Sequence, residues 1–212
     1  MTTARRVAAF DFDGTLTPRD TLVPFLARLY GRRRLLTHAA AVGPPWRRDP
    51  DVHRRDELKA QLLRRLTAGD DPERVQAAGE RYADQLATTL LPDMVEQVER
   101  HRRAGHEVVA VSASLAVYLS PLLRDRFGFD EVIAVGLEVG ADGRHTGEML
   151  GPNVRGPQKA VLLRRWLAET GTDDDVELWA YGNSSGDAEL LAMADHAALV
   201  GGRGTRELPT VH

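Results

Sequence analysis

The chain has 212 residues, enough for one full α/β domain with a modest insertion. Lysine and arginine (28) nearly balance aspartate and glutamate (31), which excludes a molecule-wide basic surface, so no nucleic-acid partner is expected. Cysteine is absent, which excludes disulfides and thiolate metal sites and leads us to expect a cytoplasmic protein. Asp11 and Asp13 cut short the apolar run after Arg5 and Arg6, and no run nears the roughly 20 residues of a membrane span, so neither a secretory leader nor stable membrane insertion is expected.

Val7 to Phe12 reads as a buried strand that ends in a turn at Asp13-Gly14. From about Asp20 to Leu90 the apolar residues recur at helical spacing, as in Leu58, Leu62, Leu63 and Leu66, then Val75, Ala78, Tyr82 and Leu86. Gly43-Pro44-Pro45 interrupts this stretch, and Asp70-Asp71-Pro72-Glu73 interrupts it again with an acidic cap before a first-turn proline. A helix from Pro92 to Ala104 stops at Gly105, and a strand from Glu107 to Val111 ends at Ser112, which opens a helical segment to about Phe127. Ile133 to Val139 and Arg144 to Met149 read as a hairpin turned by Asp142-Gly143. A helix (Pro157 to Glu169), a strand (Val176 to Tyr181), a Gly/Ser turn, a helix (Ala188 to Ala194) and a short strand (Ala197 to Val200) complete the reading.

This alternation predicts an α/β fold with a Rossmann-like, three-layer parallel-sheet core made of residues 1–19 and 91–212. Residues 20–90 are too long for a simple crossover and are expected to form a small all-helical domain inserted after the first strand. Trp166 and Trp179 lie in apolar elements and are expected in the core, while Trp46 carries no usable signal. His38, His53, His101 and His106 stand in polar or helix-end settings and are expected at the surface.

Ligands of a parallel sheet bind beyond the carboxyl ends of its strands. Chemically suggestive residues gather at such ends: Asp11-Phe12-Asp13-Gly14-Thr15, Ser112-Ala113-Ser114, Lys159 near a helix start, and Gly182 to Asp187. Asp11 and Asp13, two apart on a strand, can face the same side, where their repulsion asks for a cation or a shared proton. Mg²⁺ is a natural remedy, held by one or two carboxylates, substrate phosphate oxygens and water. One aspartate can then attack phosphorus while the other moves protons. Gly14 would let the backbone approach a phosphate, Thr15 offers a hydroxyl, Ser112 and the N–H groups after it (Ala113 first) face an anion, and Lys159 could neutralise a phosphoryl oxygen. Each cluster also has a plainer reading: a turn at residues 11–15, helix caps at Ser112 and Asp187, and a solvated surface lysine at position 159.

In this order the four clusters resemble the motifs of the haloacid dehalogenase superfamily of hydrolases, carried most specifically by D-x-D-G-T at residues 11–15 with T-L-T-P-R-D-T continuing it. The helical insert after the first motif is similar to the subgroup containing phosphoserine phosphatase. The resemblance implies Asp11 as nucleophile and Asp13 as acid/base. Gly14, Thr15, Ser112, Ala113 and Lys159 would then lie about the phosphate, with Mg²⁺ at Asp11, the Asp13 carbonyl, Asn183 and Asp187. Asn183 stands where the family usually has aspartate, and Gly186 and the Ser112-Ala113-Ser114 run also depart from phosphoserine phosphatases. Asp20 could meet an amino group of the substrate or cap the insert's first helix. Lys59, with Arg54 and Arg55, could meet a second acidic group or form a solvated helix face. Arg32-Arg33-Arg34 and Arg47-Arg48 could favour an anionic partner such as a phospholipid headgroup, but are expected to be solvated. The partner implied is a small phosphorylated metabolite. A non-catalytic phospholigand-binding module and a phosphotransferase to an alcohol stay open as rival functions, and self-association is left open.

Overall fold

A computed structural model describes residues 4–42, 52–171, 176–201, 209 and 211. The break at Gly43-Pro44-Pro45, Trp46, Arg47-Arg48 and the side chain of His53 lie outside the described residues.

Strand β1 (Arg5–Phe10) is the middle of the sheet because four consecutive residues, Val7, Ala8, Ala9 and Phe10, are apolar on both faces and wholly buried. Only a strand covered by layers on both sides accepts such a run. It pairs in parallel with β2 (Glu107–Leu115) on one side and β5 (Val176–Gly182) on the other. β3 (Glu131–Val139) lies parallel beside β2, β6 (His196–Leu199) parallel beside β5, and β4 (His145–Leu150) antiparallel at the far edge of β3. The order β4-β3-β2-β1-β5-β6 makes a six-stranded, mostly parallel sheet of the Rossmann-like α/β kind. The chain leaves β1 toward β2 first and returns later to β5, so the direction of winding switches beside β1.

Between β1 and the next core helix lie α1 (Leu22–Tyr30), α2 (Arg32–Val42), α3 (Val52–Thr67) and α4 (Pro72–Ala87). Asp71 caps α4 by accepting from the Glu73 N–H at 2.9 Å, with Pro72 at its first position. A break the hydrophobic spacing hid falls at Gly31, where φ of +81° ends α1. The core continues with α5 (Pro92–Arg103), α6 (Ala116–Leu119) with a π-helical turn at Ser120–Arg124, α7 (Pro157–Thr170) and α8 (Ala188–Ala192).

Two expectations are corrected. Ser112 does not open a helix: β2 runs through it to Leu115 and the helix starts at Ala116. His101 and His106 are buried rather than solvated: α5 lays His101 against Trp179 and Tyr181 of β5, and the turn after α5 sets His106 against Trp179. Trp179 is buried and Trp166 is half-buried against the core. Among the described residues no helix is long and apolar enough to cross a membrane.

Candidate active site

Three neighbouring strands deliver their carboxyl ends to one place. Asp11 follows β1, Ser112 to Ser114 belong to the end of β2, and Asn183 follows β5. A cavity of ≈ 740 Å³ opens there, walled on its other side by the start of α1 and by α3. Asp11, Asp13, Gly14, Ser112, Ala113 and Asn183 all line it, together with Lys159 and Asp187. Asp20 and Lys59 reach it from the helical insert.

At its floor the Lys159 ammonium donates to Asp11 Oδ1 at 2.5 Å and to Asp187 Oδ1 at 2.6 Å. Lys159 and Asp187 are each 2% exposed and Asp11 6%, so the plain reading of Lys159 as a solvated residue does not describe it. Lys159 reaches this depth because α7 begins beside the cleft, at Gly156 with φ of +53°. Burial pushes the Asp11 carboxyl up, with the Lys159 charge pulling the other way. For Lys159 burial favours the neutral amine, but Asp11 and Asp187 outweigh it and raise the ammonium. Burial likewise works against ionised Asp187, but Lys159 and the Ser184 hydroxyl hold it below the usual range.

Asp187 Oδ2 accepts from the N–H groups of Asn183 (3.1 Å) and Ser184 (3.0 Å) and from Ser184 Oγ (2.9 Å). Asp187 thus closes a capping box over the turn Ser185–Asp187 while its other oxygen meets Lys159. The cap and the site residue are one side chain using two oxygens. Gly182 is needed below it, since a Cβ there would lie 2.5 Å from Asp187 Cβ.

Asp13 is held differently. Its Oδ1 accepts from the Thr21 N–H (2.9 Å) and hydroxyl (2.7 Å), and its Oδ2 from Ser114 Oγ at 2.5 Å. Burial, then the nearby Asp20 charge, push its carboxyl up to about 7. The sequence named the Ser112-Ala113-Ser114 cluster and the run ending at Thr21 but gave neither Ser114 nor Thr21 a role toward Asp13. Hydroxyls are too common for their spacing to mark a carboxylate 8 or 101 positions away.

Thr15 is corrected: it does not face the cleft. It is wholly buried behind Asp11, its hydroxyl donating to Asp11 Oδ2 at 3.0 Å and its N–H to the Phe12 carbonyl. It orients the carboxylate instead of offering a hydroxyl to a ligand. Gly14 does line the cleft, but its N–H donates to Thr17 and its φ of +87° turns the chain tightly. A Cβ on Gly14 would sit 1.9 Å from Asn183 Nδ2, so the glycine is what lets Asn183 lie against this loop. Ser112 Oγ accepts from the Ser114 N–H at 3.1 Å, which leaves its own hydrogen free to donate.

In the insert, Asp20 Oδ1 accepts from the Val23 N–H at 3.3 Å at the start of α1, so it caps that helix and also lines the cleft. Lys59 does not lie on a solvated face. It is 3% exposed, and burial lowers it to about 8 against the pull of Asp56, Asp13 and Asp20. Arg55 and Arg155 also line the cleft, whereas Arg54 is exposed.

At the floor Asp11 and Asp187 set two carboxylates against the one Lys159 ammonium, with the Asp13 carboxyl close by, an acidic setting that suits a hard dication. Among the described residues no group of three His, Asp or Glu is arranged as a metal cage. The donor set on offer is therefore two carboxylates with carbonyl and amide oxygens, the sparse kind that Mg²⁺ accepts while keeping water.

A mostly parallel sheet with carboxylates at the switch beside its first strand defines a class, the Rossmann-like α/β proteins that take their ligands beyond the carboxyl ends of the strands. The description of the haloacid dehalogenase-like hydrolases matches residues 8–192, and the chain belongs to that family. It is 34% identical over 195 residues to the protein CicA of Caulobacter vibrioides, covering 89% of this chain and 83% of that one. It is 28% identical over 215 residues to a probable phosphatase of Mycobacterium tuberculosis, covering 98% and 73%. A solved phosphoserine phosphatase with bound substrate shares the fold at a TM-score of 0.62 and 19% identity, over 92% of this chain and 86% of that one. Membership of this family makes the chain a haloacid dehalogenase-like hydrolase.

Proposed function

We propose that the chain is a Mg²⁺-dependent phosphatase that hydrolyses a small-molecule phosphate monoester through an aspartyl-phosphate on Asp11. The observation that carries this reading is the Asp11 carboxylate, buried at the cleft floor and oriented through both oxygens, by Lys159 and by Thr15.

In the first step an Asp11 oxygen bonds to phosphorus as the ester P–O bond breaks, and Asp13 gives its proton to the leaving oxygen. A carboxyl raised to about 7 is partly protonated near neutral pH and suits that role. In the second step Asp13 takes a proton from water, the water oxygen bonds to phosphorus, and the P–O bond to Asp11 breaks to release phosphate. Lys159 and Ser112 would hold phosphoryl oxygens. Asp11, the Asp13 carbonyl, Asn183 and Asp187 would hold Mg²⁺, which when bound offsets the negative charge of phosphate and carboxylates. The helical insert of residues 20–90 would act as a lid that keeps bulk water from the acyl phosphate.

Phosphate release measured over a panel of phosphomonoesters, with and without Mg²⁺, tests the reading. Asp11→Asn should lower turnover by about 10³-fold or more, since the removed group forms the covalent bond. Residual activity within about tenfold of the parent would sink the mechanism. Running the same reactions with an alcohol acceptor separates hydrolysis from phosphoryl transfer.

A further inference from the structure

Helix α3 touches the core through a short polar chain that the proposed chemistry does not use. Lys59 Nζ donates to the Ala113 carbonyl at 2.5 Å and to Asn153 Oδ1 at 2.6 Å. Asn153, in the segment between β4 and α7, in turn donates from Nδ2 to Asp56 Oδ1 at 2.7 Å. Asp56 and Lys59 are three apart and share one face of α3, so a single helical turn grips both ends of one buried amide.

A buried ammonium is costly unless good acceptors surround it. Here the two acceptors are a core backbone carbonyl and a core side chain, both fixed parts of the protein. The carbonyl matters for what flanks it. Ala113 stands between Ser112, which lines the cleft, and Ser114, which donates to Asp13 Oδ2. The Ser114 N–H also ties back to Ser112 Oγ. Whatever fixes the Ala113 peptide therefore fixes both serines against the carboxylates.

We propose that Lys59, supported by Asn153 and Asp56, is a positioning residue that locks the seated helical insert to the end of β2 and so sets Ser112 and Ser114 relative to Asp13. The kinetic side of this proposal rests on the phosphatase reading, while the structural side does not.

The full chain, Lys59→Met, Asn153→Asp and the double variant Asp56→Asn/Asn153→Asp are compared with Mg²⁺ on p-nitrophenyl phosphate and on phosphoserine, and by amide hydrogen exchange of residues 112–116. Lys59→Met should lose about 10- to 100-fold in kcat/KM, mainly in kcat and equally on both esters, because a slight misplacement of site groups slows chemistry whatever the leaving group. Exchange of the 112–116 amides should quicken by about tenfold. Asn153→Asp opposes two carboxylates and should fall comparably. Adding Asp56→Asn exchanges donor and acceptor and should recover kcat/KM to within about threefold of the parent. A Lys59→Met protein within about twofold of the parent overturns the proposal, as does unchanged exchange. A loss confined to phosphoserine also overturns it, making Lys59 a ligand for charged groups on the substrate. If Lys59→Met does not fold, the aspartate pair decides, and a double variant no better than Asn153→Asp is fatal. If the parent hydrolyses neither ester, the phosphatase reading fails and exchange alone judges the lock.

Discussion

At the scale of single residues, the cleft is built by side chains that each satisfy two demands. Asp187 uses one oxygen to close a backbone turn and the other to meet Lys159, and Asp20 caps α1 while lining the cavity. Asn183 stands where the resemblance to the family implies an aspartate. Its amide lies against Gly14 beside the floor carboxylates, so replacing it by aspartate changes charge with little change of shape. Asn183→Asp should lower the Mg²⁺ concentration for half-maximal binding by roughly tenfold. Two unit charges about 4 Å apart are worth about 4 kcal/mol at an effective dielectric of 20, and a dication more, before dehydration offsets most of it. A calorimetric titration in which the midpoint does not move would remove Asn183 from the metal set. Asp11, Asp13, Lys159 and Asp187 were legible because each falls at a strand or helix end in a recognisable order. The roles of Thr21, Ser114 and Asn153 were not, since each comes from a partner that only folding brings beside it.

At the scale of elements, two junctions can be tested apart from the chemistry. Helix α4 meets α6 at Gly79, where an added Cβ would lie 2.1 Å from the Val117 carbonyl oxygen. In an exposed helix Gly→Ala would stabilise by about 1 kcal/mol, but here overpacking of roughly 1–3 kcal/mol opposes it and backbone cannot swing aside. Gly79→Ala should therefore lower the thermal midpoint, and a midpoint that stays level or rises would show the junction to be slack. The second junction joins α5 to β5. His101 makes contacts of 2.9 Å with His106 Nδ1 and 2.8 Å with Tyr181 OH, and Gln97 donates to the same hydroxyl. Burial first, then His106, lower His101 to about 3. The unfolded histidine protonates near pH 6.5, so between about 6.5 and 3 the unfolded chain binds the extra proton. Its contribution to stability is complete above pH 6.5 and is lost as the pH falls toward 3. Urea midpoints at pH 7.5 and 5 should differ more for the parent than for His101→Gln, and equal differences would refute the assignment. The sequence alone put this histidine at the surface because a helix end rich in arginine reads as solvated. Only the packing of α5 on Tyr181 and Trp179 shows otherwise.

At the scale of the whole molecule, folding and the proposed metal are linked. The three floor carboxyls converge only in the folded chain, so Mg²⁺ should bind the native state alone. At a hundredfold excess over its dissociation constant it should add about 2.7 kcal/mol, or roughly 5 to 10 °C in the thermal midpoint, reversed by a chelator. A midpoint indifferent to both would argue against a metal at this floor.

By itself the sequence determined the alternation of strands and helices, the run of helices after β1 and the motif residues at the strand ends. Hydrophobic period and turn chemistry are local properties, and the D-x-D-G-T run is contiguous. Only the tertiary structure decided that Thr15 stands behind Asp11, that Lys59 is buried against β2, and that Asp13 is gripped by Thr21 and Ser114. Those facts depend on sheet order and on the seating of the insert. Burial and pairing across tens of residues leave no periodic mark in a chain read one residue after another.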